Sequence, residues 1–164
     1  MSKPVRSGEG TSKNGGAATV ESVSDILERD THPLIEAWLA RVEKESDLMR
    51  VPLNHAERTG HLHHIIGDII QRLRLDAGTN SSLSKAAANH GDLRRKQGYT
   101  VAMMVEESRL LQVSIFTTLH NATQLDFGAL LPDVVSIADE VDLQLKEQML
   151  RFMAAHAVEK AKGK

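Results

Sequence analysis

A chain of 164 residues, 41% hydrophobic and with a net charge of −2 at pH 7, has the length of one domain and can bury a substantial core. Without cysteine, a disulfide scaffold, an iron–sulfur centre and thiol redox chemistry are excluded, and the near-neutral balance supplies no global field for nucleic acid. The only aromatic residues, Trp38, Tyr99, Phe116, Phe127 and Phe152, leave the core to aliphatic side chains, which favours helix packing over a β-sandwich and makes a haem pocket thin.

Residues 1–19 are mostly Gly, Ser, Lys and Thr and read as a disordered tail. They lack the apolar core of a signal peptide, and no run approaches the ~18 apolar residues of a membrane span. The expected location is therefore the cytoplasm. Val23, Ile26 and Leu27 predict a short entry helix. Thr31 is expected to cap a second helix, with Pro33 in its first turn and an inward stripe of Leu34, Ile35, Trp38, Leu39 and Val42. Asn54 is expected to cap a third, whose stripe is Leu62, Ile65, Ile66, Ile69, Ile70 and Leu73. A turn follows over 76–82.

From Leu83 to Gln97, positions 83, 86, 87, 90, 93, 94 and 97 share one face at about 100° per residue. His90 lies near its centre and Arg94 beside it. Gly98 stands where a left-handed C-terminal cap falls, and Thr100 can cap the next helix, predicted to reach about Asn121. The last helix is expected to begin near Asp126 or Asp133, with Pro132 in its first turn in the second case, and to run to about Ala157. Residues 159–164 are expected to fray. No strand or internal repeat emerges.

The run His90-Gly91, Arg94, Gly98-Tyr99, followed by Glu107, Arg109, Leu110 and Leu111, resembles the N-terminal input domain of RsbRD-type stress-response regulators, which also precedes sensor histidine kinases. Trp38 and the leucine-rich last helix fit the same pattern, and Ser108 stands where the pattern has an aromatic. The resemblance covers roughly residues 22–155. It implies a non-catalytic signalling input or interaction domain that docks a regulatory partner such as a kinase or an anti-sigma-pathway component, and the helical domain is expected to span 20–158.

Two helices carry apolar residues on more than one face. In the last, Leu143 and Leu150 lie seven apart and almost opposite the main stripe of Val134, Ile137, Ala138, Val141, Leu145, Met149 and Phe152. In the preceding helix Met103 and Leu110 are placed opposite Val101, Val105, Ile115 and Leu119. Leu143, Leu150, Met103 and Leu110 are thus a candidate homodimer seam.

The chemistry is sparse. His61-Leu62-His63-His64 has too little convergence for a metal site, because His61 and His63 project about 200° apart on a helix and zinc wants about four converging ligands. His90 lacks the neighbours of a phosphoacceptor histidine. Glu106 and Glu107 are adjacent and diverge by about 100° on a helix. There is no phosphate loop and no recognisable nucleophile. His90, Arg94, Glu107, Ser108 and Gln112 instead suggest a polar network inside the bundle, either a register device or a sensory pocket. The expectation is an all-α protein, a four- to five-helix bundle with an extra short N-terminal helix. It has no catalytic residues, metal or cofactor and binds neither nucleic acid nor membrane. The alternatives are a small-ligand- or metal-binding bundle and a histidine phosphotransfer protein.

Overall fold

The computed structural model describes residues 21–75, 85–122 and 127–162. The expected tail at 1–19, the turn at 76–82, the helix start at Leu83 and the Asp126 cap lie outside the described residues. Among these residues there are only helices: α1 (Val23–Arg29), α2 (Thr31–Val42), α3 (Ser46–Met49), α4 (His55–Thr59), α5 (Leu62–Arg74), α6 (Lys85–Lys96), α7 (Val101–Asn121) and α8 (Phe127–Lys162). The protein is an all-α bundle. Five longer helices, α2 and α5 to α8, carry it, with α1 as the short entry helix.

Local chemistry sets most of the boundaries. The Ser22 hydroxyl accepts from the Asp25 amide and starts α1. Asn54 and Glu57 form a reciprocal capping box at α4, satisfying two amides that the first turn leaves unpaired. Thr31 does not cap α2. Asp30 holds that position, and the Thr31 hydroxyl donates to the Leu27 carbonyl at 2.6 Å, so α1 and α2 follow each other almost without a break. The single helix expected from Asn54 is two, α4 and α5, parted at Gly60 and His61. The last helix starts at Phe127, so Pro132 lies inside it, and it continues past the expected end to Lys162.

Gly98 behaves as its position predicts. Its φ is +86°, and the amides of Gly98 and Tyr99 donate back to the carbonyls of Arg95 and Arg94. That is a Schellman closure, which needs a left-handed residue and so favours glycine. Thr100 then caps α7, its hydroxyl accepting from the Met103 amide, while the Met103 sulfur accepts from the Thr100 amide at 3.4 Å.

In the core, α2 lies on α7, α1 on α5, and α8 runs along α5, α6 and α7. Trp38, Ile26, Leu27, Leu34, Leu62, Ile66, Ile69, Met104, Ile115 and Ile137 are almost wholly enclosed. The inward face of α6 is turned from the one the periodicity suggests. Ala87, His90, Gly91 and Arg94 are buried, whereas Leu93 is 43% exposed. The cause is Gly91, which sits so close to α8 that any Cβ would overlap the Gln148 backbone. Without a side chain there, α6 and α8 approach backbone to backbone, and Leu93 is rotated outward.

α7 is turned in the same way. Val101 and Val105 are exposed, while Met104, Glu107, Leu110, Leu111 and Ser114 are buried. Leu110 therefore belongs to the chain's own core and not to a seam, and Met103 is partly buried against that core. Leu143 is half-buried and Leu150 is 55% exposed.

Candidate functional site

α6, α7 and the Gly98 turn converge on one carboxylate, and α4 braces its arginine partner. Glu107 projects from the second turn of α7 into the bundle, and Arg94 reaches it from the last turn of α6. Arg94 Nε lies 3.0 Å from Oε2 and Nη2 lies 3.0 Å from Oε1, a bidentate pair. The rest of the guanidinium is also engaged: Nη1 donates to the Glu57 carbonyl and the Gln97 amide oxygen, and Nη2 to the Arg58 carbonyl. Arg94 is fully buried and stands 4.7 Å from the Tyr99 ring centroid. The Tyr99 hydroxyl donates to Glu107 Oε1 at 2.8 Å, and the Trp38 indole donates to the Glu107 carbonyl at 3.2 Å. Arg58, also buried, donates to the Leu48 and Val51 carbonyls and ties the segment around α3 to Tyr99.

Two histidines complete the cluster. His90 Nε2 lies 3.4 Å from Glu107 Oε2, with only 3% of its side chain exposed. The His61 ring, at the start of α5, stacks on the His90 ring with 3.7 Å between centroids and 15° between planes, and Trp38 meets His61 edge-on. His61 is only half-buried as a residue, but its Nδ1 is enclosed. A cavity of about 20 Å³ adjoins them, lined among others by Trp38, His61, His90, Glu107, Ser108 and Gln144. That is room for about one water-sized group. Three enclosed atoms of residues on its wall, His61 Nδ1, His90 Nδ1 and Gln144 Oε1, have no hydrogen-bond partner among the described residues.

The electrostatics follow from burial. Desolvation pushes the His61 imidazole well below its ordinary range, and the neighbouring His90 and Arg94 push it the same way. His90 is also lowered, chiefly by burial, with Glu107 opposing. Burial alone would raise the Glu107 carboxyl, but its contacts with His90, Arg94 and Tyr99 outweigh that and hold it below the usual value. At neutral pH the site is an ionised Glu107–Arg94 pair beside two neutral imidazoles.

Of the five residues expected to form a sensory pocket, His90, Arg94 and Glu107 come together and Ser108 lines the cavity. Gln112 is half-buried and lies outside the lining. His61, set aside in the sequence with the HLHH run as too little convergent for a metal site, is inside. Its partner is His90, across the fold, while His63 and His64 are exposed. The ligand atoms of His61, His90 and Glu107 lie within 4.8 Å of one another, which brings back the metal chemistry that the HLHH run alone did not support. Tyr99 and Gln144 are further members that periodicity did not single out. Glu140, Gln144 and Gln148, spaced four apart, form a buried polar stripe on α8 that was read as apolar. No protein-family model matches the chain, and no match is found among curated proteins or solved structures.

Proposed function

We infer that this protein is a regulatory helical bundle, a signal-input or interaction domain of the kind its resemblance to RsbRD-type N-terminal domains implies, without catalysis of its own. One observation carries the reading: α8 lines the cavity and also leaves the bundle. Val141, Gln144 and Gln148 face the polar site. Past Phe152, the described side chains of Met153, Ala154, His156 and Val158 are all exposed. With 36 residues α8 is ~54 Å long, against ~32 Å for the 21-residue α7. A change at the polar site moves α8, and the overhanging turns deliver that movement to whatever they touch.

The dimensions of the site favour this over an enzyme, since a cavity of about 20 Å³ has no room for an organic substrate. They also disfavour histidine phosphotransfer, because His90 is enclosed where a kinase cannot reach it. We assign a second copy of the chain as the partner of α8. Leu143 and Leu150 repeat at seven residues, and Met153 and Val158 extend the apolar surface. Sedimentation at about 100 μM, well above a micromolar dissociation constant, should show a dimer, and the pair Leu143→Glu with Leu150→Glu should give a folded monomer. A parent chain that is monomeric at that concentration overturns the dimer and leaves α8 without its partner.

A further inference from the structure

We propose that His61, His90 and Glu107 form a binding site for one divalent transition-metal ion, with the adjoining cavity as its open coordination position. The three residues come from the start of α5, the middle of α6 and the second turn of α7, so the fold, and no local motif, assembles them. Two imidazoles and one carboxylate are a recurrent ligand set for zinc and for non-haem iron, with remaining positions left open. His90 Nε2 and Glu107 Oε2 are 3.4 Å apart. Two ligands of one tetrahedral ion, with bonds of about 2.0–2.1 Å, stand about 3.3 Å apart. That pair is already at coordinating separation.

His61 must move to join it. Its ring lies parallel to that of His90, so the lone pairs of the two rings run side by side. Binding one ion therefore requires the His61 ring to turn about its Cβ–Cγ bond, drawing together three ligand atoms that already lie within 4.8 Å of one another. The turn breaks no hydrogen bond at Nδ1, which has no partner among the described residues. Gln144 lines the same cavity, and its Oε1, enclosed and without a partner among the described residues, can accept from a water held by the ion. Arg94 and Tyr99 already fix the orientation of the Glu107 carboxylate, as outer partners do in built metal sites.

The same surroundings select the ion. Calcium and magnesium want six or more oxygens. This site offers one carboxylate, and both its oxygens are shared with Arg94. The positive guanidinium opposes any second cation, so affinity must come from the imidazole bonds. That favours zinc, cobalt(II), nickel or copper over the hard ions. The claim concerns binding and is independent of the regulatory reading: a protein that binds the ion without dimerising keeps the site and loses the dimer, and the reverse also holds.

The test uses the full chain, freed of metal with EDTA and titrated with cobalt(II), zinc and magnesium chlorides. One equivalent of cobalt(II) should give visible d–d absorption that zinc abolishes. Zinc at about a hundred times its dissociation constant should raise the Tm by about 5–10 °C, and magnesium should do neither. Imidazole ¹⁵N resonances of the unaltered protein should shift for His61 and His90 at one equivalent, which needs no mutant to fold. His61→Ala should lose the cobalt spectrum, and the double change His63→Ala with His64→Ala should keep it. Overturning results are no binding at about 1 mM zinc, binding that survives His61→Ala but not loss of His63 and His64, or unshifted His61 and His90 with a buried water only in the cavity.

Discussion

Arg94 and Glu107, thirteen residues apart on either side of the Gly98 stop, hold each other through two contacts of 3.0 Å in the interior of the bundle. Each is costly to bury alone, and among the described residues neither has another charged partner of comparable geometry. The pair therefore fixes how α6 meets α7, and it decides which face of α7 turns inward.

Breaking that pair should be among the most damaging single changes in the protein. Arg94→Ala leaves an uncompensated carboxylate in the core and is expected to cost about 3–5 kcal/mol. Arg94→Lys should rescue little of it, because an ammonium cannot reproduce the planar fork that also serves Glu57, Arg58 and Gln97. Tyr99→Phe removes one hydrogen bond to a charged acceptor and should cost about 1.5–3 kcal/mol. Urea unfolding midpoints rank the three. If Arg94→Ala unfolds no more easily than Tyr99→Phe, the pair is not what positions α6.

Two glycines should respond with opposite sign. Gly91→Ala pushes a Cβ into the Gln148 backbone and should destabilise by about 1–3 kcal/mol, separating α6 from α8. Gly67 lies inside α5, and a Cβ there meets nothing within 4 Å. Gly67→Ala should stabilise by about 0.5–1 kcal/mol, the ordinary helix gain over glycine. Thermal denaturation of the two variants side by side checks this. A stable Gly91→Ala protein would contradict the close helix contact.

The histidines make stability fall with acid before the carboxylates do. Both His61 and His90 are lowered in the folded state, so below about pH 6.5 the unfolded chain binds protons there that the folded chain does not. Their contribution is complete above that pH and is lost as the pH drops towards their folded values. Glu107 is lowered too, so its contribution is lost at more acid pH, below the ordinary carboxyl range. Denaturant midpoints measured from pH 7.5 to 4.5 should therefore decline through the histidine window. The decline should be shallower in His61→Ala, and an unchanged slope in that variant would show that His61 is not a buried neutral imidazole.

His90 and His64 provide a contrast by position alone. His90→Ala removes an enclosed side chain from between His61 and Glu107 and should cost about 1–3 kcal/mol. His64→Ala alters an exposed residue and should stay within about 0.5 kcal/mol. Equal urea midpoints for the two would refute the burial of His90.

The local grammar of this chain was legible without any fold. Gly98 marks a stop because only glycine takes φ near +86° freely, and Asn54 and Thr100 mark starts because their side chains can accept from amides that a first turn leaves unpaired. The stripe from Leu62 to Ile70 declares a buried face by its period. His90 and Arg94 on an inward face, with Glu107 as their partner, were also within reach of spacing arguments. The rotation of α6 and α7 was not. Periodicity counts apolar residues, and here the winning faces carry His90, Arg94, Glu107 and Ser114 while Leu93, Val101 and Val105 lie outside. Those faces prevail because a buried ion pair tolerates no alternative partner and because Gly91 alone lets α8 come close. His61 joined the site for a similar reason. His63 diverges from it by about 200° at helical spacing, and its partner His90 lies on another helix, so only the packing of α5 against α6 brings the two imidazoles together.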